Sequence, residues 1–246
     1  EEITRPDEAR AIAAAYHAVL AAIADDVLNA NVSVKLTGLG LKLDGGLCRE
    51  LLEELVRDAA GRDAFVRIDM EDATCVDDTL GLYRALRAEG YDNVGIVLQA
   101  HLKRTLADIA DLAELRPGVR LCKGIYVEPA GIAFQDAHVI RRSFVACLDA
   151  LLDAGCRVAI ATHDEELLVQ ALERVAQLDT SAYEFQMLLG VRERRADALV
   201  AAGQPLRIYV PYGQRWYEYS LRRLQENPNL AGTIARATVG RMLGRS

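Results

Sequence analysis

The stretch from Leu206 to Glu226, LRIYVPYGQRWYEYSLRRLQE, concentrates side chains able to grip a small charged molecule. It opens as a β-branched and aromatic run, turns at Pro211 and Gly213, and continues with a helical pattern. At a helical pitch of about 100° per residue, Tyr219, Arg222, Arg223 and Glu226 share one face, with Trp216 at its edge. Tyr217, Leu221 and Leu224 look the other way and read as core. Two neighbouring guanidinium groups beside aromatic surface suit a ligand with a carboxylate and an apolar body. The competing reading is a solvated charged face carrying an i,i+4 pair between Arg222 and Glu226. Taken alone, the stretch favours that plainer reading.

A second set of polar residues changes the balance. Lys35, Asp69, Gln99, Lys123 (with Arg120 three residues earlier), Thr162 with His163, Gln186 and Tyr209 all stand at or near the end of a strand-like run. Each alone has an ordinary explanation: Asp69 could cap a turn, Gln99 could bond backbone, and His163 could be a satisfied buried imidazole. Together they mark one pocket, if the fold gathers its strand ends. Cations and amides suit a flavin or a phosphate-bearing cofactor together with a carboxylate substrate. Such groups at a flavin's pyrimidine edge stabilise its anionic reduced form. Two alternatives stay open at this level. Asp69, Glu71, Asp72 and His163 could ligate a metal, although Glu71 and Asp72 cannot both project with Asp69 if the strand continues. The other histidines, His17, His101 and His138, fall in helices or at helix starts. Lys35 or Lys123 could instead form a Schiff base.

The elements that must hold these groups alternate regularly. Thr4-Arg5-Pro6-Asp7 opens an amphipathic helix over 4–23. Strands are expected at 32–37, 65–70, 94–99, 119–123, 157–162, 183–188 and 206–210. Helices are expected at 47–60, at 77–89 with Asp77 as N-cap, at 102–114, at 136–154, from Asp164 to about 177, at 191–202, and more weakly at 229–243. The connection 124–135, with Pro129 and Gly131, is long enough to suggest a functional role. Several strands are apolar on both faces, the mark of a parallel sheet covered by helices. Seven βα units behind a leading helix give an α/β fold, a (β/α)8 barrel of the TIM type whose first strand is expected before Glu1. An open doubly wound sheet is the runner-up. Gly38-Leu-Gly40-Leu-Lys-Leu43 lacks the third glycine of the dinucleotide fingerprint.

Length and composition agree. The 246 residues fit one domain, 1–246, and a 51% hydrophobic content supplies an ample core, which excludes global disorder. A net charge of −7 and the lack of any Lys/Arg run argue against nucleic acid as a partner. The five cysteines, at 48, 75, 122, 147 and 156, form no CxxC and read as thiols in a reducing, cytoplasmic setting. No apolar run approaches the length of a membrane span, so any membrane contact is expected to be peripheral.

The blocks SVKLTGLG at 33–40, RIDMED at 67–72, IVLQAHL at 96–102, VRLCKGIYVEP at 119–129, ATHD at 161–164, YEFQMLLG at 183–190 and RIYVPYGQRWYEYSLRRLQENP at 207–228 resemble the flavin-dependent proline dehydrogenases in their bacterial monofunctional form. The resemblance implies a barrel that holds FAD non-covalently and carries its last barrel helix over the mouth. It implies oxidation of L-proline to Δ1-pyrroline-5-carboxylate, electrons passed to a quinone, contact with the inner face of the membrane, and a pyrroline-5-carboxylate dehydrogenase downstream. By match, Arg222 and Arg223 clamp the proline carboxylate with help from Lys35, and Glu226 holds Arg222 ready. Tyr126, Leu188, Tyr209 and Tyr219 enclose the pyrrolidine ring. Asp69 and Arg120 match the active-site carboxylate and the flavin-contacting arginine. Met70, Gln99, Lys123, Gly124, Ile125, Thr162, His163 and Gln186 match cofactor-binding positions, and no metal is implied. Ile125 stands where many members carry a smaller residue.

Overall fold

The computed structural model describes residues 3–213. Trp216, Tyr219, Arg222, Arg223, Glu226 and the helix expected at 229–243 lie outside the described residues. The chain forms two compact units, divided between Arg157 and Val158.

The first unit runs α1 (Pro6–Asp25), β1 (Val32–Val34), α2 (Gly45–Gly61), β2 (Val66–Ile68), α3 (Val76–Ala88), β3 (Val94–Gln99), α4 (Thr105–Leu112), β4 (Gly118–Cys122) and α5 (Ala137–Asp153). Its strands pair in chain order, all parallel: Val34 opposes Ile68, Ile68 opposes Ile96, and Gln99 opposes Cys122. The second unit carries β5 (Arg157–Ala161) from its second residue on, then α6 (Glu165–Val175), β6 (Tyr183–Leu188), α7 (Glu193–Ala201) and β7 (Leu206–Tyr209). Here Ala161 opposes Gln186 and Leu188 opposes Tyr209, again parallel. Sequential parallel strands joined by helices are what the alternating pattern requires, because a parallel connection needs a crossover. Every residue of β3 is buried, as expected for a strand covered on both faces.

The helices dock by apolar stripes. In α2, Leu47, Cys48, Leu51, Leu52, Leu55, Val56 and Ala59 are buried at helical spacing. Asp44 caps this helix, accepting from the backbone N–H groups of Gly46 at 2.9 Å and Leu47 at 3.1 Å. Replacing Asp44 with Ala is expected to cost about 1 kcal/mol, the usual value of an N-cap. A denaturant titration should show the midpoint lowered with an unchanged slope, and an unmoved midpoint would contradict this role.

Several boundaries differ from expectation, the second strand for one spanning only Val66–Ile68, and three of the differences have a clear local reason. The first strand stops at Val34 because the chain turns through Thr37–Leu39 into a left-handed Gly40, φ 102°. Asp77 is not an N-cap: Asp72 caps a short turn at Ala73–Cys75 that runs straight into α3, leaving Asp77 in its first turn beside Arg104. The helix expected from 102 starts at Thr105, because residues 100 and 101 prolong the β3–β4 ladder, with N–H groups donating to the carbonyls of Cys122 and Lys123 at 2.8 Å each.

Candidate active site

In the first unit, the C-terminal strand ends form a connected polar cluster. Arg120, inside β4, donates from Nη1 to Asp69 Oδ1 at 2.6 Å and from Nη2 to Ser33 Oγ at 3.0 Å. Its side chain is 8% exposed and that of Asp69 is 15% exposed. Asp69 follows β2 directly, and Ser33 lies in β1, three strands from β4. Three strand spacings in a flat sheet come to about 14 Å, beyond the reach of an arginine side chain. The sheet of this unit therefore curls, and Arg120 lies on its concave face. This is a fixed cation beside a fixed carboxylate in a largely water-excluded place, where both act more strongly than in water.

The neighbouring loops are tied to this pair. Asp69 N–H continues the ladder to the Val34 carbonyl at 2.9 Å, which sets Lys35 next to it. The Tyr16 phenol, from α1, lies against the Lys35 backbone. Burial pushes its pKa up, the Lys35 backbone contact pulls it down, and the charges of Asp69 and Glu71 push it further, to about 12. Glu71, buried, accepts from the Thr37 hydroxyl at 2.9 Å and the Thr37 N–H at 3.3 Å. Asp72 holds Lys42 at 2.7 Å; burial alone would raise its pKa, but the bonds from Lys42 and Thr74 outweigh it and pull the carboxyl down to about 2. Glu71 and Asp72, two of the three carboxylates weighed as metal ligands, are thus each engaged in knitting loops. Gln99 donates from Nε2 to the carbonyls of Glu71 at 3.1 Å and Met70 at 3.5 Å. Those partners can only accept, so the amide nitrogen is committed and Oε1 is the atom turned elsewhere. Gln99 does bond backbone, and doing so orients it.

Lys123 and Gly124 follow β4, and Gly124 has φ 101°, in the left-handed region. Ile125 is exposed and Tyr126 is half-buried. Glu128 closes the loop onto the turn after β2 by accepting from the Ala73 N–H at 2.7 Å.

The second unit repeats the arrangement. Thr162 is buried and its hydroxyl accepts from the Asp164 N–H at 3.1 Å. The Leu188 N–H donates to His163 Nε2 at 3.0 Å, so the ring's hydrogen resides on Nδ1. Gln186 donates from Nε2 to Glu184 at 2.5 Å, and Arg207 donates to the same carboxylate at 3.1 Å. As in Gln99, the amide nitrogen is spoken for. Leu188 and Tyr209 end their strands and are half-buried.

The strand-end residues read from the sequence thus fall into two sets: Lys35, Asp69, Gln99, Arg120 and Lys123 in the first unit, and Thr162, His163, Gln186, Leu188 and Tyr209 in the second. Tyr219, Arg222 and Arg223 lie outside the described residues. Sequence reasoning passed over Tyr16, Ser33, His101 and Glu184. Ser33 shares SVKL with Lys35, and Glu184 stands two residues before Gln186 on the same strand face; period-two spacing could have found both. Tyr16 and His101 carried no such signal.

The proline dehydrogenase family profile matches residues 1–236. Proline dehydrogenase 1 of Bacillus subtilis (strain 168) is 37% identical over 229 residues, covering 92% of this chain and 76% of that protein. Proline dehydrogenase of Deinococcus radiodurans is 37% identical over 209 residues, covering 82% of this chain and 67% of that one. Among solved structures, the D779Y mutant of Bradyrhizobium japonicum proline utilization A superposes with a TM-score of 0.82 at 26% identity, over 93% of this chain; this chain spans 27% of the length of that one. Such neighbours are TIM-barrel-like, which bears out the α/β fold expected from the alternating elements. The chain belongs to the proline dehydrogenase family.

Proposed function

We propose that this chain, an oxidoreductase acting on proline, converts L-proline to Δ1-pyrroline-5-carboxylate with FAD as its cofactor, as the first step of proline degradation. The observation that carries the cofactor reading is the buried Arg120–Asp69 pair with the oriented amide of Gln99 beside it. The residues present fit a flavin: a permanent cation, amide oxygens whose nitrogens are already engaged, and a glycine in a left-handed turn where backbone can approach a ligand closely. FAD, when bound, supplies the hydride acceptor.

In this reading, residues 1–246 act as one catalytic domain. Met70, Gln99, Arg120, Lys123, Gly124, Ile125, Thr162, His163 and Gln186 hold the cofactor. Arg222 and Arg223, with Lys35, clamp the substrate carboxylate, and Tyr126, Leu188, Tyr209 and Tyr219 enclose the ring. A clamped carboxylate fixes the ring so that C5 is the carbon presented for reaction. The hydride leaves C5 as the nitrogen lone pair forms the C=N bond, so the amine must bind neutral. Fixed cations nearby lower the amine's pKa on binding. Lys35 and Asp69 then serve to position and to balance charge, with no obligatory base. Electrons pass on to a quinone, and a pyrroline-5-carboxylate dehydrogenase consumes the product. No helix among the described residues is long and apolar enough to cross a membrane. The proposal includes a cytoplasmic location and peripheral contact with the membrane that holds the quinone.

The deciding experiment is a visible spectrum. Purified protein incubated with FAD and freed of excess is expected to stay yellow, and anaerobic proline is expected to bleach it. A protein that retains no flavin, or a flavin that proline leaves oxidised, would overturn the proposal.

A further inference from the structure

We infer that His101 is a positioning residue: as its Nδ1–H tautomer it holds the Lys123–Gly124 peptide, and thereby sets how Lys123 and Tyr126 are presented. The imidazole is 5% exposed. Its Nδ1 lies 2.9 Å from the Lys123 carbonyl oxygen, and its own backbone N–H donates to the same oxygen at 2.8 Å. A carbonyl can only accept, so Nδ1 carries the hydrogen. Nε2 is sealed from solvent and has no hydrogen-bond partner among the described residues. The ring's recorded polar anchor is therefore that one carbonyl. The fit continues at Gly124, where a Cβ would lie 1.4 Å from Nδ1 and 2.0 Å from Cε1. The imidazole occupies the space that any side chain at 124 would need, so ring and glycine form one mould.

The same short segment holds the far end of the loop. Phe134 N–H donates to the His101 carbonyl at 2.8 Å, Lys103 N–H donates to the Ile132 carbonyl at 2.9 Å, and Lys103 Nζ reaches the Ala130 carbonyl at 2.7 Å. Leu102 bridges Ala133. Residues 101–103 thus grip both ends of the long connection 124–135, while Val127 at its apex is fully exposed. Held at both ends by this segment and at Glu128 by the Ala73 N–H, the loop takes its starting direction from the first peptide after β4. His101 sets that peptide. The bearing on catalysis rests on the function proposed above; the hold on the loop does not.

Two variants separate the hydrogen bond from the packing. His101→Phe keeps a ring but removes the donor; His101→Asn keeps a donor near Nδ1 and removes the ring. Hydrogen exchange of the backbone amides of Ala100, residue 101 and Phe134, which donate to the Cys122, Lys123 and His101 carbonyls, is expected to quicken about 10-fold in the Phe variant and about 3-fold or less in the Asn variant, as befits losing one buried hydrogen bond. FAD affinity and kcat/KM for proline are expected to follow the same order. Phe and wild type alike in exchange would overturn the inference. So would equal damage in both variants accompanied by equal loss of global stability, which would mean packing alone. If wild type binds no FAD, the function proposal fails, and the exchange comparison still decides the role of His101.

Discussion

Arg120→Met is expected to cost about 3–5 kcal/mol of stability, the range seen when one member of a buried ion pair is removed. The reason is an asymmetry. Bringing two charges out of water costs nearly as much as their attraction returns, so the intact Arg120–Asp69 pair contributes little net stability against an apolar pair of similar size. Removing only the guanidinium leaves the Asp69 carboxylate, 15% exposed, without the cation that compensates its desolvation. It also strips the Ser33 hydroxyl of a donor. The double variant Arg120→Met/Asp69→Leu should recover most of the loss, since both charges are gone. In denaturant titrations the single variant should therefore be less stable than the double, a non-additivity that only coupled residues produce. Activity should not recover with stability. If Arg120 supplies the cation beside the flavin, the stable double variant remains slower by about 100-fold or more, in line with losing a preorganised charge where charge develops. A single variant as stable as wild type would show that the pair is not a buried, coupled unit. A double variant with wild-type turnover would remove both residues from the reaction.

How far the sequence reveals this arrangement depends on the range of the forces involved. The strands at 94–99 and 183–188 emerge with the bounds expected, because their apolar runs satisfy both faces of a covered sheet without help from elsewhere. Helix α5 starts where Asp136 marks it, since an N-cap acts on the residues just after it. Boundaries that depended on distant partners shifted. Asp72, not Asp77, initiates the turn before α3, while Lys42 holds the same carboxylate from thirty residues upstream. The strand-end rule placed Lys35, Asp69, Gln99 and Lys123 at the strand ends of the first unit and His163 at a strand end of the second, because each of these polar residues closes a strand-like run. It could not give their orientation. That Gln99 commits its nitrogen to the Met70 and Glu71 carbonyls, or that Arg120 crosses the concave face to Ser33, follows from curvature. Curvature depends on packing across the whole sheet. His101 was set aside with the helical histidines; only the prolonged β3–β4 ladder puts it against Lys123. Tyr16 lies in α1, and its contact with the Lys35 backbone spans two elements that no local pattern connects.

The arginine pair yields the other large effect, through the chemistry of two adjacent guanidinium groups. Arg222 and Arg223 are adjacent, Glu226 stands four residues after Arg222, and Tyr219 three residues before it. Arg222→Ala and Arg223→Ala are each expected to lower kcat/KM for proline by about 100-fold, the equivalent of about 2.7 kcal/mol for a lost charge-assisted contact to a carboxylate. Most of the change should fall in KM, because the clamp binds a group that does not itself react. Lysine should rescue either position only in part. It restores the charge but cannot reproduce the planar fork that a carboxylate accepts. Flavin content should remain at the wild-type level, which separates a lost clamp from a lost fold. The sharpest form of the test uses prolinamide, which lacks the carboxylate. Wild type should turn it over poorly, and both alanine variants should handle it no worse than wild type does. That pattern assigns the lost binding to the carboxylate and to nothing else in the substrate. If proline kinetics stay unchanged in both variants, the pair belongs to a solvated surface, where an i,i+4 contact between Arg222 and Glu226 is worth only about 0.5 kcal/mol. The two readings of Arg222 and Arg223 then differ by about two orders of magnitude in one measurable ratio.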